Sequence, residues 1–209
     1  MTPFSATPKP AMSLNVGRTI TAVILGIVFA IVTIEATFLL ITTRLPTEGW
    51  TVHYDLGRVA KPLRRALVAK VGLGALVAEE ALYYSNYKDS EGRPLDGQYR
   101  YRLHFKREQI PATNAFWSLS LYDQDHFFVK NAIDRYSLGD QSSVLSYNQD
   151  GSLDIIIAQI QDANDLNWLP SGDNAFMLTL RAYLPADTLL TGEWLPPSII
   201  RLDAVTEAP

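Results

Sequence analysis

The chain contains no cysteine, only three histidines and no large excess of charge of either sign. Without cysteine there is neither a disulfide nor a thiolate metal site; the absence permits export to a bacterial envelope but does not establish it. His53, His104 and His126 stand far apart and form no metal-binding spacing, so no metal is expected. Eighteen Lys and Arg against 22 Asp and Glu give a net charge of −4. The chain therefore has no broad cationic field, and nucleic acid is not expected as a partner. Catalytic signatures are missing too. Ser118, Ser137 and Ser171 lie in no Gly-x-Ser-x-Gly elbow. Gly72-Leu73-Gly74 is too short for a dinucleotide fingerprint and follows no strand, and no cofactor is expected.

What the chain does have is a long apolar run. From Ile20 to Ile41 the only polar side chains are Thr21, Thr33, Glu35 and Thr37. A helix of this length reaches about 30 Å, the thickness of a bilayer's hydrocarbon core. The run is longer than the apolar region of a signal peptide and no small-residue cleavage site follows it, so an uncleaved transmembrane anchor over 20–41 is expected. Lys9 and Arg18 precede it, and Arg44, Arg58, Lys61, Arg64 and Arg65 follow. Counting basic residues alone places the C-terminal side in the cytoplasm. The later cluster falls partly in a predicted helix that can fold away from the membrane, which favours a cytoplasmic tail over 1–19 and an extracytoplasmic C-terminal domain. The chain then reads as a single-pass protein of the bacterial inner membrane with a periplasmic domain. Glu35 either reaches toward the interface or protonates, or else meets a partner helix, since a carboxylate within a span costs about 2.5–3.5 kcal/mol on insertion.

After the span, residues 42–73 read as a juxtamembrane connector with a short helix. Trp50 and Tyr54 suit the membrane interface. Pro62 to about Val71 has helical spacing at Leu63, Ala66, Leu67 and Val71, ended by Gly72 and Gly74. Arg64 and Arg65 lie off that stripe, on a solvated face. From Tyr83 onward the period becomes two. Tyr99, Tyr101, Leu103 and Phe105 alternate with Gln98, Arg100, Arg102 and His104. Trp117, Leu119 and Leu121 alternate with Ser118, Ser120 and Tyr122 in the same way, and Leu153, Ile155 and Ile157 with Asp154. Phe176, Leu178 and Leu180 predict the last strong strand, and Ser198–Leu202 a short edge strand. Asx and glycine turns separate these segments at 89–92, 96–97, 123–125, 148–151 and 171–173. The pattern predicts a mainly β domain over 74–202, an antiparallel β-sandwich or jelly roll, with a tail over 203–209.

Five segments carry a family resemblance: Glu80–Tyr83, Asp89–Gly97, Ala115–Asp123, Asn167–Pro170 and Leu178–Tyr183. In this order they resemble the bacterial family called domain of unknown function 1214, over about Gly74 to Leu202. The resemblance implies a β-rich, jelly-roll-like domain without an established activity. It further implies a partner, since short membrane-anchored forms accompany a separate protein of the companion family called domain of unknown function 1254.

Two constellations could carry function. Trp117, Tyr122, Tyr136 and Trp168, with Arg135 and Asn167 as hydrogen-bonding partners, would suit a glycan or lipid ligand, because rings stack on flat apolar faces while polar groups orient them. Trp117 shares the face of Leu119 and Leu121 and belongs in the core, while Trp168 is expected to plug the end of the sandwich. Among carboxylates, Glu80 reads as partly buried beside Leu82, paired with an arginine or acting as an acid or base, and Asp134 stands beside Arg135 and Tyr136. Asp123 and Asp125 are explained by their turn. The expected function is a membrane-anchored binding or assembly module; the alternative is an envelope enzyme acting on glycan or lipid, with Glu80 or Asp134 as its acid or base.

Overall fold

The computed structural model describes residues 16–42, 49–52, 54, 56–58, 62, 65, 68–69 and 74–202. The chain divides into two units, residues 1–44 and residues 45–209.

The first unit contains helix α1, Val16–Thr42. Its stretch Val16–Thr37 has a mean hydropathy of 2.3 and no fully buried residue. By length and composition it could cross a membrane, as an anchor or as a signal sequence. Its threonines do not disturb that surface. Thr21, Thr33 and Thr37 each donate the hydroxyl to the carbonyl four residues earlier, at 2.7–2.9 Å. Such back-bonding satisfies a hydroxyl within the helix itself, as an apolar medium requires.

The second unit is mainly β, with two sheets. The first has the order β1-β2-β8-β4-β5, formed by β1 (Trp50–Val52), β2 (Ala81–Asn86), β8 (Phe176–Tyr183), β4 (Trp117–Asp123) and β5 (Ser137–Gly139). The second has the order β7-β6-β3-β9, formed by β7 (Trp168–Pro170), β6 (Leu153–Ala158), β3 (Arg100–Phe105) and β9 (Ile199–Leu202). A short helix α2, Asp187–Leu190, follows β8.

Alternation explains how the sheets meet. Tyr101, Leu103 and Phe105 of β3 and Leu153, Ile155 and Ile157 of β6 are buried, as are Trp117, Leu119 and Leu121 of β4 and Leu178, Leu180 and Ala182 of β8. Together they make one core between the two layers. Phe105 packs on Trp117 across the layers at 5.9 Å, and Tyr101 on Phe176 edge-on at 5.7 Å. Such ring pairs add to the burial of their area.

Two features differ from the sequence expectations. The second sheet is mixed, because β7 runs parallel to β6, with Ile156 opposite Trp168 and Ala158 opposite Pro170. The crossover is unusually short for a parallel pair. Arg100 makes it possible: it donates to both carboxylate oxygens of Asp165 at 2.8 and 3.0 Å and to the Ile160 carbonyl at 3.0 Å, and pairs with Asp162 at 2.9 Å. The second difference lies at the start of the domain. Trp50 is buried rather than interfacial, β1 pairs antiparallel with β2, and the indole Nε1 donates to the Pro197 carbonyl at 2.9 Å. The sheet thus takes in a segment assigned from sequence to the connector. Tyr54 is partly exposed. Of the helix expected from Pro62, the described residues Pro62, Arg65, Val68 and Ala69 are helical, and the others lie outside the described residues. The tails expected over 1–19 and 203–209 also lie outside them, apart from the start of α1.

Candidate functional site

The outer face of the five-stranded sheet is built from the polar half of the alternation. Register aligns Ser85, Thr179, Ser120 and Ser137 in one row across β2, β8, β4 and β5. The neighbouring row is Tyr83, Arg181, Ser118 and Gly139. Gly139 is obligatory there, because a Cβ would run into the Trp117 carbonyl oxygen. Thr179 and Ser120 are buried, Ser118 is half-buried and Ser137 is exposed, so this hydroxyl-lined surface runs from a covered floor to an open rim.

Arg181 stands at its centre, half-buried. Its guanidinium donates to the Ser120 Oγ at 3.1 Å and to the Tyr122 Oη at 2.8 Å, and lies 5.3 Å from the Tyr122 ring centroid. Among the described residues no carboxylate pairs with it, in contrast with Arg93 on Asp89 and Arg100 on Asp165. Beside it begins a column of rings. Tyr122 stacks on Phe128 at 4.8 Å, and Phe128 packs on Tyr136 at 5.1 Å. The Tyr136 hydroxyl donates to the Asp134 carboxylate at 2.9 Å, and that bond holds the phenol's pKa above its ordinary value. Phe128 is half-exposed and Phe127 more so.

Local hydrogen bonds hold the loop that carries these rings. Asp123 Oδ1 accepts from the Asp125 and Phe127 amides, both at 2.9 Å, which is the Asx turn expected at this place. Asn131 accepts from the Arg135 amide at 3.0 Å and donates to the Arg135 carbonyl at 2.9 Å.

The sequence candidates separate on this frame. Tyr122, Tyr136 and Asp134 come together around Phe128. Arg135 is half-buried and donates to the Trp168 carbonyl at 2.8 Å, acting as a strut between the loop and β7. Asn167 is buried, and its amide is fully used: Nδ2 donates to the Ser146 and Asp154 carbonyls, while Oδ1 accepts from the Ser146 amide, all at 2.7–2.8 Å. No N–H is left for a ligand. Trp168 is half-buried on an edge strand and donates to the Ala158 carbonyl at 2.8 Å, rather than plugging an end of the sandwich. Trp117 is in the core, as its alternation requires.

Glu80 is exposed, not partly buried, because it closes the turn before β2 rather than entering the strand. It adjoins Ala81, which pairs with Tyr183, whereas Tyr122 pairs with Met177 near the other end of β8. Glu80 and Asp134 therefore do not share a site. Two further residues escaped the sequence reading. Arg181 was visible only as the charge inside Leu178-Thr179-Leu180-Arg181-Ala182, a segment whose alternation speaks for a strand and not for a site. Phe128 lies in a polar loop with no periodicity to mark it.

Comparison with known proteins places the fold but not the activity. The model of the family described as "Protein of unknown function (DUF1214)" matches residues 80–187. Among solved structures, the VPA0106 protein from Vibrio parahaemolyticus is 29% identical, with a TM-score of 0.58, covering 69% of this chain and 36% of its own. A putative uncharacterized protein from Burkholderia cenocepacia is 18% identical, with a TM-score of 0.44, covering 66% of this chain and 32% of its own. The chain thus spans about a third of the length of these solved proteins. No curated protein matches it.

Proposed function

This chain belongs to the DUF1214 family of proteins of unknown function, and from that premise we propose that it is a membrane-anchored binding or assembly module whose β domain works outside the cytoplasm of a bacterial cell. The observation that carries this reading is the partly open face of the first sheet, where Arg181 has no carboxylate partner among the described residues and the ring column beside it leaves Phe128 half-exposed. In the Vibrio parahaemolyticus protein the matching region is 36% of a longer chain, so the same fold occurs there with a large companion portion. We take the companion to be a protein of the family called domain of unknown function 1254, as the family resemblance implies. The apolar helix α1 supports single-pass residence in a membrane, and we take that membrane to be the inner one with the domain in the periplasm.

The exposed ring column and the hydroxyl-lined sheet face support a ligand of glycan or lipid chemistry at the same domain. The enzyme alternative is weaker, because its two candidate carboxylates, Glu80 and Asp134, stand at different ends of the first sheet.

The test is affinity purification of the tagged full chain from bacterial membranes in mild detergent. Retention in the membrane fraction and stoichiometric recovery of a companion-family protein are expected. A chain that leaves the membrane with the soluble fraction, or that purifies alone, overturns the assembly reading.

A further inference from the structure

We infer that Arg181 anchors an acidic, hydroxyl-rich ligand of the sugar-acid class, taking its carboxylate on the outer face of the five-stranded sheet. This rests on the binding-module reading above and names the chemistry of its ligand.

The inference begins with the donor count. A guanidinium carries five N–H groups in a planar fork. Arg181 uses one on Ser120 and one on Tyr122. Three remain, and a half-buried arginine is ordinarily completed by a carboxylate or another anion. Of the other half-buried arginines, Arg93 has Asp89, Arg100 has Asp165 and Asp162, Arg135 has the Trp168 carbonyl, and Arg201 lies over the Tyr99 ring. At Arg181 the protein supplies two hydroxyls instead. Those bonds fix the guanidinium plane without neutralising it, which leaves a pre-oriented fork suited to bidentate capture of an oxyanion.

The surroundings select among anions. No lysine or second arginine occupies β2, β8, β4 or β5 beside it, so a single positive charge faces the ligand. A monoanionic carboxylate matches that charge better than a phosphate dianion. The next positions offer hydroxyls: Ser118 stands opposite Arg181 in register, and Ser137 stands in the adjoining row at the open rim. Hydroxyl groups serve as both donors and acceptors to the hydroxyls of a sugar. The ring column supplies an apolar edge along one side, with half-exposed Phe128 at its middle and the Asp134 carboxylate beyond Tyr136 as an acceptor. A positive fork, a hydroxyl field, an aromatic edge and a distant acceptor describe a pyranose carrying one carboxylate better than a lipid chain.

The experiment is isothermal titration of the detergent-solubilised full chain with sodium glucuronate, glucuronamide, glucose and inorganic phosphate. Glucuronamide keeps the ring and removes the charge, so that comparison needs no variant. Glucuronate is expected to bind about tenfold or more tightly than glucuronamide, in line with loss of a charge-assisted hydrogen-bonded pair. The preference should disappear in Arg181→Gln and shrink in Arg181→Lys, with thermal melts showing that both variants fold. Equal binding of glucuronate and glucuronamide, tighter binding of phosphate, or unchanged binding in folded Arg181→Gln overturns the inference. Failure of all four probes overturns it as well. Binding of the neutral sugars alone, or failure of all four probes alongside recovery of the companion protein in the pull-down, leaves the module reading standing while this inference falls.

Discussion

Asp89 shows how one side chain sets a turn and a pH response together. Its carboxylate is enclosed, and Oδ1 accepts from the Glu91 amide at 2.9 Å and the Arg93 amide at 3.0 Å, while Oδ2 accepts from Arg93 Nε at 2.8 Å. Burial pushes its pKa upward, and the hydrogen bonds from Arg93 and Glu91 together outweigh that push, leaving it below the ordinary 3.8. A carboxyl whose folded pKa lies below its unfolded value contributes stability above the unfolded value and loses it as pH falls through the folded one. The contribution of Asp89 is thus full at neutral pH and fades below about pH 4. Thermal melts of Asp89→Asn and the parent chain should differ most at neutral pH and converge in acid. A constant difference across that range sinks the assignment. Nearby, among the described residues, the buried Asn86 Nδ2 has no hydrogen-bond partner, and the buried Tyr84 hydroxyl has the Tyr54 phenol beside it. Burial, with the Tyr54 phenol close by, holds the Tyr84 pKa well above its ordinary value. Its neutral hydroxyl is the form the core tolerates. The turn at Asp89 was legible in sequence, since Asp followed by Gly92 is local chemistry. The burial of Tyr84 was not, because it depends on Trp194, far along the chain, whose ring packs edge-on against it at 5.2 Å.

At the scale of elements, legibility followed period and length. The six- to eight-residue strands β2, β3, β4, β6 and β8 alternate long enough to be read, and they form the interiors of the sheets. The three-residue β1 cannot show an alternation, so Trp50 looked like an interfacial aromatic. Pairing direction also left no local mark: nothing within Asn167–Pro170 says that it lies parallel to β6. That direction is enforced from β3 by Arg100 on the crossover. Arg100→Ala removes an ion pair with Asp165 that is mostly shielded from water and is expected to cost about 2–3 kcal/mol. Hydrogen exchange should show faster amides first over 159–170, the crossover and β7. Uniform acceleration through both sheets contradicts a local role.

For the whole molecule, the decisive question from sequence was where the folded domain begins, and Trp50 answers it. The indole is buried in the common core, on a strand hydrogen-bonded to β2, and reaches the carbonyl of Pro197 in the segment leading to β9. One side chain therefore joins the start of the domain to its end. Trp50→Ala is expected to lower unfolding free energy by about 3–5 kcal/mol, the usual cost of emptying a tryptophan site, as measured by urea titration of the full chain in detergent. A loss below about 1 kcal/mol, within the range of surface substitutions, contradicts the core assignment. The sheet margins carry a different consequence. Each sheet ends on strands of only three or four residues, and β7 closes on Pro170, which has no N–H to offer. Such margins are poor templates for a neighbouring chain to extend. Contacts between crowded copies are therefore expected to fall on side chains rather than on backbone zipped to backbone.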